Sequence, residues 1–139
     1  MTPSTAEWLA TRRTAVLVTV RADGSPQTSN VVFAYDGVVA RVSVTADRAK
    51  TRNLQRDPRG VLHVLGEEFG AYASVSVAAA LGPVSTSPGD VAGVELLALY
   101  EAVAGAQHPD PQDFYQAMVD ERRLVLTLTP TSAVAWGLS

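Results

Sequence analysis

Two Asp-Gly pairs, Asp23-Gly24 and Asp36-Gly37, constrain the fold of this chain more than any other feature. They separate three runs rich in β-branched residues: Thr14 to Val20, Gln27 to Ala34 and Val38 to Thr45. Asp-Gly between such runs favours a type I′ hairpin, in which both central residues take positive φ. Two such hairpins in succession predict a three-stranded antiparallel meander. Downstream, Gly60 to Leu65 and Tyr72 to Val84 read as a fourth and a fifth strand. Arg123 to Thr129 reads as a sixth, continuing past Pro130 through Ala133-Val134-Ala135-Trp136.

Helical signals fall between and around these runs. Ser4 to Ala10 is a short N-terminal helix that Ser4 or Thr5 can cap. Ala46 to Arg56 is rich in helix formers, with Thr45 or Asp47 as candidate caps and Asp57-Pro58 as the stop. Its apolar face is thin, Ala49 and Leu54, which predicts a place outside the sheet. Ser87-Pro88-Gly89-Asp90 opens a helix through Ala104, ended by Gly105, and Asp110-Pro111 opens another through about Glu121. The order β-β-β-α-β-β-α-α-β describes a mainly β, six-stranded antiparallel barrel with helices packed outside. At 139 residues the chain fits one domain, 1–139.

Composition excludes several classes of function. The net charge of −3 gives no pull toward nucleic acid or an anionic membrane. The absence of cysteine removes disulfides, thiolate catalysis and Cys-based metal sites. His63 and His108 stand far apart in sequence and read as structural, and neither an HExxH nor a GxSxG motif occurs. No metal site and no catalytic acid–base pair is identified. Met1 to Arg13 lacks the pattern of a signal peptide and no run is long enough to span a bilayer, so the expectation is a cytoplasmic protein. Charged residues are only 18 %, low for a small monomer, which hints at surface hidden in an oligomer.

The chemistry-bearing signal is a basic cluster. Of eleven basic residues ten are Arg, and Lys50 is the single Lys. Five of the eleven lie between Arg48 and Arg59, where a strand gives way to a helix. The first N–H groups of a helix are unpaired and its dipole favours an anion. Arg48 and Lys50 add full charges at that end and Thr51 adds a hydroxyl, so a phosphate there meets charge, dipole and donors together. The plainer alternative is a solvated basic helix. In the second strand, Gln27, Ser29 and Val31 share one face and Thr28, Asn30 and Val32 the other.

Arg48-Ala49-Lys50-Thr51-Arg52-Asn53-Leu54, ending in Arg56-Asp57-Pro58-Arg59, resembles the phosphate-binding segment of the pyridoxamine 5′-phosphate oxidase-like split-barrel superfamily. The resemblance is to its F420-dependent branch, typical of actinobacteria. Ser25 to Val31, Glu95 to Tyr100 and Gln116 to Leu124 are similar to further segments of that branch, so the likeness runs from Leu9 to Gly137. It implies a split β-barrel homodimer with the cofactor, F420 or alternatively FMN, in a cleft between subunits. Carried over residue by residue, it implies that Arg48, Lys50 and Thr51 bind the anion. Ser43 and Val44 lead into that run, and Gln27, Ser29 and Asn30 lie under the deazaflavin ring. Tyr72 matches an aromatic contributed by the other subunit, although Glu68-Phe69-Gly70 departs from the Trp-containing pattern of the family. The activity implied is hydride transfer from reduced deazaflavin to a small unsaturated or conjugated substrate. The alternatives are an FMN-dependent oxidase or reductase, or an F420 carrier or sensor without turnover. The cofactor supplies the reactive carbon, so no protein nucleophile is required.

Overall fold

The computed structural model describes residues 1–138. The β runs around the Asp-Gly pairs fold as antiparallel neighbours: β1 (Thr14–Val20) with β2 (Pro26–Val32), and β3 (Ala34–Tyr35) with β4 (Ala40–Thr45). The expected six strands are corrected to seven, because the run from Gln27 to Ala34 is two strands broken at Phe33. There the chain leaves β1, after a last bond from Phe33 N–H to Arg13 O, and the Phe33 ring turns fully into the interior. With β5 (Arg59–Leu65), β6 (Tyr72–Leu81) and β7 (Arg123–Trp136), the pairing order is β2-β1-β5-β6-β7-β4-β3. The two edge strands are thus consecutive in the chain, and the sheet curls until they meet at Phe33.

The Asp-Gly pairs locate both turns, but the turns are not type I′. Positive φ falls on Gly24 (+87°) and Gly37 (+97°), not on either Asp. In the first, Gly24 N–H bonds Arg21 O and Arg21 N–H bonds Ser25 O, a three-residue loop with a left-handed glycine. In the second, Gly37 and Val38 are the central pair. Both aspartates act from the preceding position by side-chain bonding. Asp23 Oδ1 accepts from Ser25 N–H, and Asp36 Oδ1 accepts from Val38 and Val39 N–H.

Inward side chains of alternate strand positions form the barrel core, among them Leu17, Val42, Val44, Leu62, Val64, Val75, Leu124 and Leu126. β7 runs through Pro130 with a register shift opposite Ser76 and Val77, where the missing N–H is tolerated. Its first half is buried on both faces. Leu124, Leu126 and Leu128 point into the barrel. Val125 points outward into a second cluster under α3 (Val91–Ala104) and α4 (Pro111–Asp120), with Leu96, Leu99, Phe114 and Met118. Asp90 caps α3, Gly105 at φ +69° ends it, and Asp110 caps α4 ahead of Pro111. The N-terminal helix, α1 (Pro3–Ala10), is capped by Thr2 rather than by Ser4 or Thr5.

The helix after β4 departs most from expectation. It is shorter than the run from Ala46, spanning Ala49–Arg56 (α2), and it does not lie outside the sheet. Leu54 is 2 % exposed within the barrel core, and Asn53 and Thr51 are buried beside it. Asn53 Nδ2 donates to Thr19 Oγ1 (3.1 Å) and to Gln27 Oε1 (2.7 Å). Arg56 donates to Asn53 Oδ1 (2.8 Å) and to Val20 O (3.0 Å). α2 therefore closes the barrel end at which the β1–β2 hairpin turns. Its buried face is largely polar and fully bonded, which a search for apolar periodicity does not register.

Candidate functional site

The start of α2 is bare. Neither Thr45 nor Asp47 caps it: the N-cap is Arg48, with no side-chain hydrogen bond to the first turn and no acidic residue in that turn. The helix begins beside a cleft of about 660 Å³ between β4, the end of β2 and the undersides of α3 and α4. Arg48 and Lys50 line one end of this cleft, joined by Arg123 from the start of β7. Burial holds the Lys50 ammonium below the usual lysine range, and the Arg48 and Arg123 guanidiniums add to that shift. The three cations face one carboxylate among the cleft-lining residues, Glu121, whose Oε1 accepts from Arg123 Nε at 2.9 Å. Thr45 Oγ1, at the same end, is buried with no well-formed hydrogen bond among the described residues, although the Asp47 carboxyl is held below its usual range by its own backbone N–H and by the Thr45 side chain. The far end is apolar, formed by Leu96, Leu99, Val103, Phe114 and Met118, with Tyr100 at its margin.

Of the residues singled out from sequence, the cleft brings together Asn30, Ser43, Val44, Arg48 and Lys50. Ser43 faces the helices, and its Oγ accepts a long bond of 3.3 Å from Arg123 Nη1. Val44 contributes only its backbone, because its side chain is in the barrel core. The remaining four lie elsewhere. The Thr51 side chain is fully buried and its hydroxyl donates to Thr45 O at 2.8 Å, tying α2 to the end of β4 rather than facing a ligand. Gln27 and Ser29 are on the face of β2 opposite Asn30, and Gln27 is engaged by Asn53. Tyr72 stands on the outward face of β6 with its ring 5.5 Å from that of His63. His63 borders a smaller hollow of about 380 Å³ with Val16 and Leu65, which shares Asn30, Val31 and Val32 with the cleft.

Sequence reading missed Arg123, Glu121 and the apolar wall of α3 and α4. Arg123 lies 73 positions beyond Lys50 in the chain, and only the pairing of Thr45 with Arg123 brings it to the site. The Arg122-Arg123 pair beside Asp120-Glu121 was the available signal, and alone it reads as a self-compensated helix end. Among the described residues, no group of His, Cys, Asp and Glu could hold a metal ion, and no helix is long and apolar enough to cross a membrane.

An excess of cations and a helix start without a side-chain cap, at one end of an otherwise apolar cleft, suit a ligand with an anionic tail and a flat, weakly polar body. Fold and cleft together define an antiparallel split barrel with a pocket on its outer face that is cationic at one end and apolar at the other. The chain belongs to the pyridoxamine 5′-phosphate oxidase family, whose model matches residues 1–137. Solved structures share the fold at low identity. An F420 reductase is 24 % identical, with 92 % of this chain and 94 % of that one covered and a TM-score of 0.68. A conserved hypothetical protein from Mycobacterium tuberculosis is 20 % identical, with coverage of 98 % and 84 % and a TM-score of 0.74. HutZ, a heme storage protein from Vibrio cholerae, is 16 % identical, with coverage of 99 % and 95 % and a TM-score of 0.71.

Proposed function

We propose that this protein is an F420-binding oxidoreductase that reduces a small unsaturated or conjugated substrate in the cleft. The observation that carries the reading is the polarity of that cleft: Arg48, Lys50 and Arg123 at one end, apolar side chains at the other. The likeness to an F420 reductase and the family's flavin-binding fold support it. When bound, the reduced deazaflavin supplies the hydride. The chain's own residues do the rest. Arg48, Lys50 and the first N–H groups of α2 bind the phosphate. Asn30 and Ser43 offer donors and acceptors to the ring edge. Leu96, Leu99, Phe114 and Met118 exclude water from the reacting face.

A homodimer belongs to this reading. The outward face of β1, β5, β6 and the end of β7 carries Val16, Leu65, Tyr72, Val134 and Trp136 and is continuous with the cleft through Asn30 and Val32. A second copy seated there walls the open side of the cleft. Titrating the protein with F420 and FMN side by side, then screening conjugated substrates with reduced cofactor, tests the assignment. Tighter F420 binding with turnover is expected. Preference for FMN moves the protein to the FMN-dependent oxidases and reductases of the fold, and F420 binding without turnover makes it a carrier or sensor.

A further inference from the structure

Glu121 is a carboxylate in an otherwise cationic cleft end, and the helix it terminates does not explain it. It is the C-cap of α4, where the carbonyl ends of the helix disfavour an anion. Its carboxylate holds Arg123 Nε at 2.9 Å while the two side chains remain 45 % and 29 % exposed. Among the described residues, the only other hydrogen bond of the Arg123 guanidinium is the long one to Ser43 Oγ. The next residue, Arg122, has φ +52°, which a non-glycine residue adopts only when its surroundings impose it. Arg122 O accepts from Ala46 N–H at 2.9 Å, so this strained turn is fastened to the segment that leads into α2. Glu121 is thereby set against the anion end. It borders both the cleft and the polar recess beyond it, as Arg48, Arg123 and Thr45 also do.

We propose that Glu121 is a built-in counter-ion, which occupies Arg123 in the free protein and sets the charge of the phosphate the cleft accepts. The proposal rests on the anion-site reading above and deepens it. With Glu121 in place, three cations face one carboxylate. A phosphate diester brings one negative charge and two free oxygens to that arrangement. A terminal phosphate monoester brings close to two charges, and the second is repelled by Glu121. Glu121 therefore selects against cofactors that end in a phosphate monoester, such as FMN. It favours those in which the phosphate is esterified on both sides, as in F420.

Fluorescence titration of wild type, Glu121→Gln and Glu121→Ala with FMN and F420 tests this. FMN affinity rises about threefold to fivefold in both variants, the size of a partly exposed charge interaction, and F420 affinity changes less than about twofold. In an Arg123→Met background, Glu121→Gln raises FMN affinity at least as much, because the repelling carboxylate then has no partner. Unchanged or weaker FMN binding in both variants overturns the proposal, as does an equal gain for the two cofactors. If neither cofactor binds any form, the cofactor reading fails by itself and inorganic phosphate decides the counter-ion. Greater thermal stabilisation of Glu121→Gln than of wild type by phosphate supports it, and equal or absent stabilisation overturns it.

Discussion

At the scale of single residues, Lys50 and Thr51 are neighbours with opposite duties. Lys50 is half-buried beside Arg48 and Arg123, and its lowered pKa marks a positive charge without a counter-charge of its own. An anion that binds there raises that pKa again. Binding therefore takes up protons on the alkaline side, and affinity falls as pH rises through the lowered pKa. Calorimetry in buffers of different ionisation enthalpy reads this as net proton uptake, and no uptake between neutral and alkaline pH removes Lys50 from the site. Replacing Lys50 or Arg48 by Ala weakens cofactor binding about tenfold to a hundredfold, the range for a charge-assisted hydrogen bond of about 1.5–3 kcal/mol. Thermal unfolding of both variants stays close to wild type, since neither side chain packs in the core. Thr51→Val behaves the other way. Its hydroxyl ties α2 to Thr45 O, so the variant loses about 1 kcal/mol of stability in urea unfolding. Its affinity for cofactor stays within about twofold of wild type. The Arg-x-Lys-Thr run made the place of the candidate cleft legible in the sequence, since Arg48 and Lys50 line it. It did not make the division of labour legible, because burial of Thr51 is decided by how α2 lies against β4.

At the scale of elements, local signals placed the turns and helices but not every cap or turn type: Thr2 and Arg48 cap α1 and α2 in place of the expected residues, and neither Asp-Gly turn is type I′. Asp90, Asp110 and Gly105 bound α3 and α4 where expected, and both Asp-Gly pairs sit in turns. Two things were not legible. The break at Phe33 depends on the sheet curling until one run of residues serves two edges. The burial of α2 depends on polar partners from the β1–β2 hairpin, Thr19 and Gln27, which are far away in sequence. That network is also how α2 is held against β2. Asn53→Ala leaves Thr19 Oγ1, which is 1 % exposed at the residue level, without its donor and takes from the Arg56 guanidinium one of its two acceptors, leaving Val20 O. We expect a loss of about 2 kcal/mol in stability, read as a lower urea midpoint with an unchanged slope. A midpoint equal to that of wild type shows that the barrel end closes without Asn53.

At the scale of the whole molecule, the two outer faces of the sheet are treated differently. Over β4 and the first half of β7, α3 and α4 cover the sheet and make the far wall of the cleft. Over β1, β5, β6 and the second half of β7, the register places Leu65 beside Tyr72 and Tyr72 beside Trp136, and His63 beside Ser74 and Ser74 beside Val134. Leu65, Val134 and Trp136 are 52 %, 64 % and 70 % exposed. The outward residues of Thr14–Val18, Val61–Leu65, Tyr72–Ser76 and Ser132–Trp136 include no Asp, Glu, Lys or Arg. On the dimer reading, this uncharged face is the surface for association. A two-fold partner matches it, because a face paired with its own copy needs to complement only itself. On the same reading, the low charge content of the chain reflects the surface hidden in the dimer. Val134→Glu therefore separates folding from association: the side chain is already exposed in one copy, so the circular dichroism spectrum and barrel stability are retained. On the dimer reading, light scattering after gel filtration changes from twice the chain mass to the chain mass. Cofactor affinity falls with it, because the open side of the cleft has lost the surface that walls it. A wild-type protein that runs at the chain mass at tens of micromolar rejects the dimer. A monomeric Val134→Glu that binds cofactor as tightly as wild type shows that one copy makes the whole site.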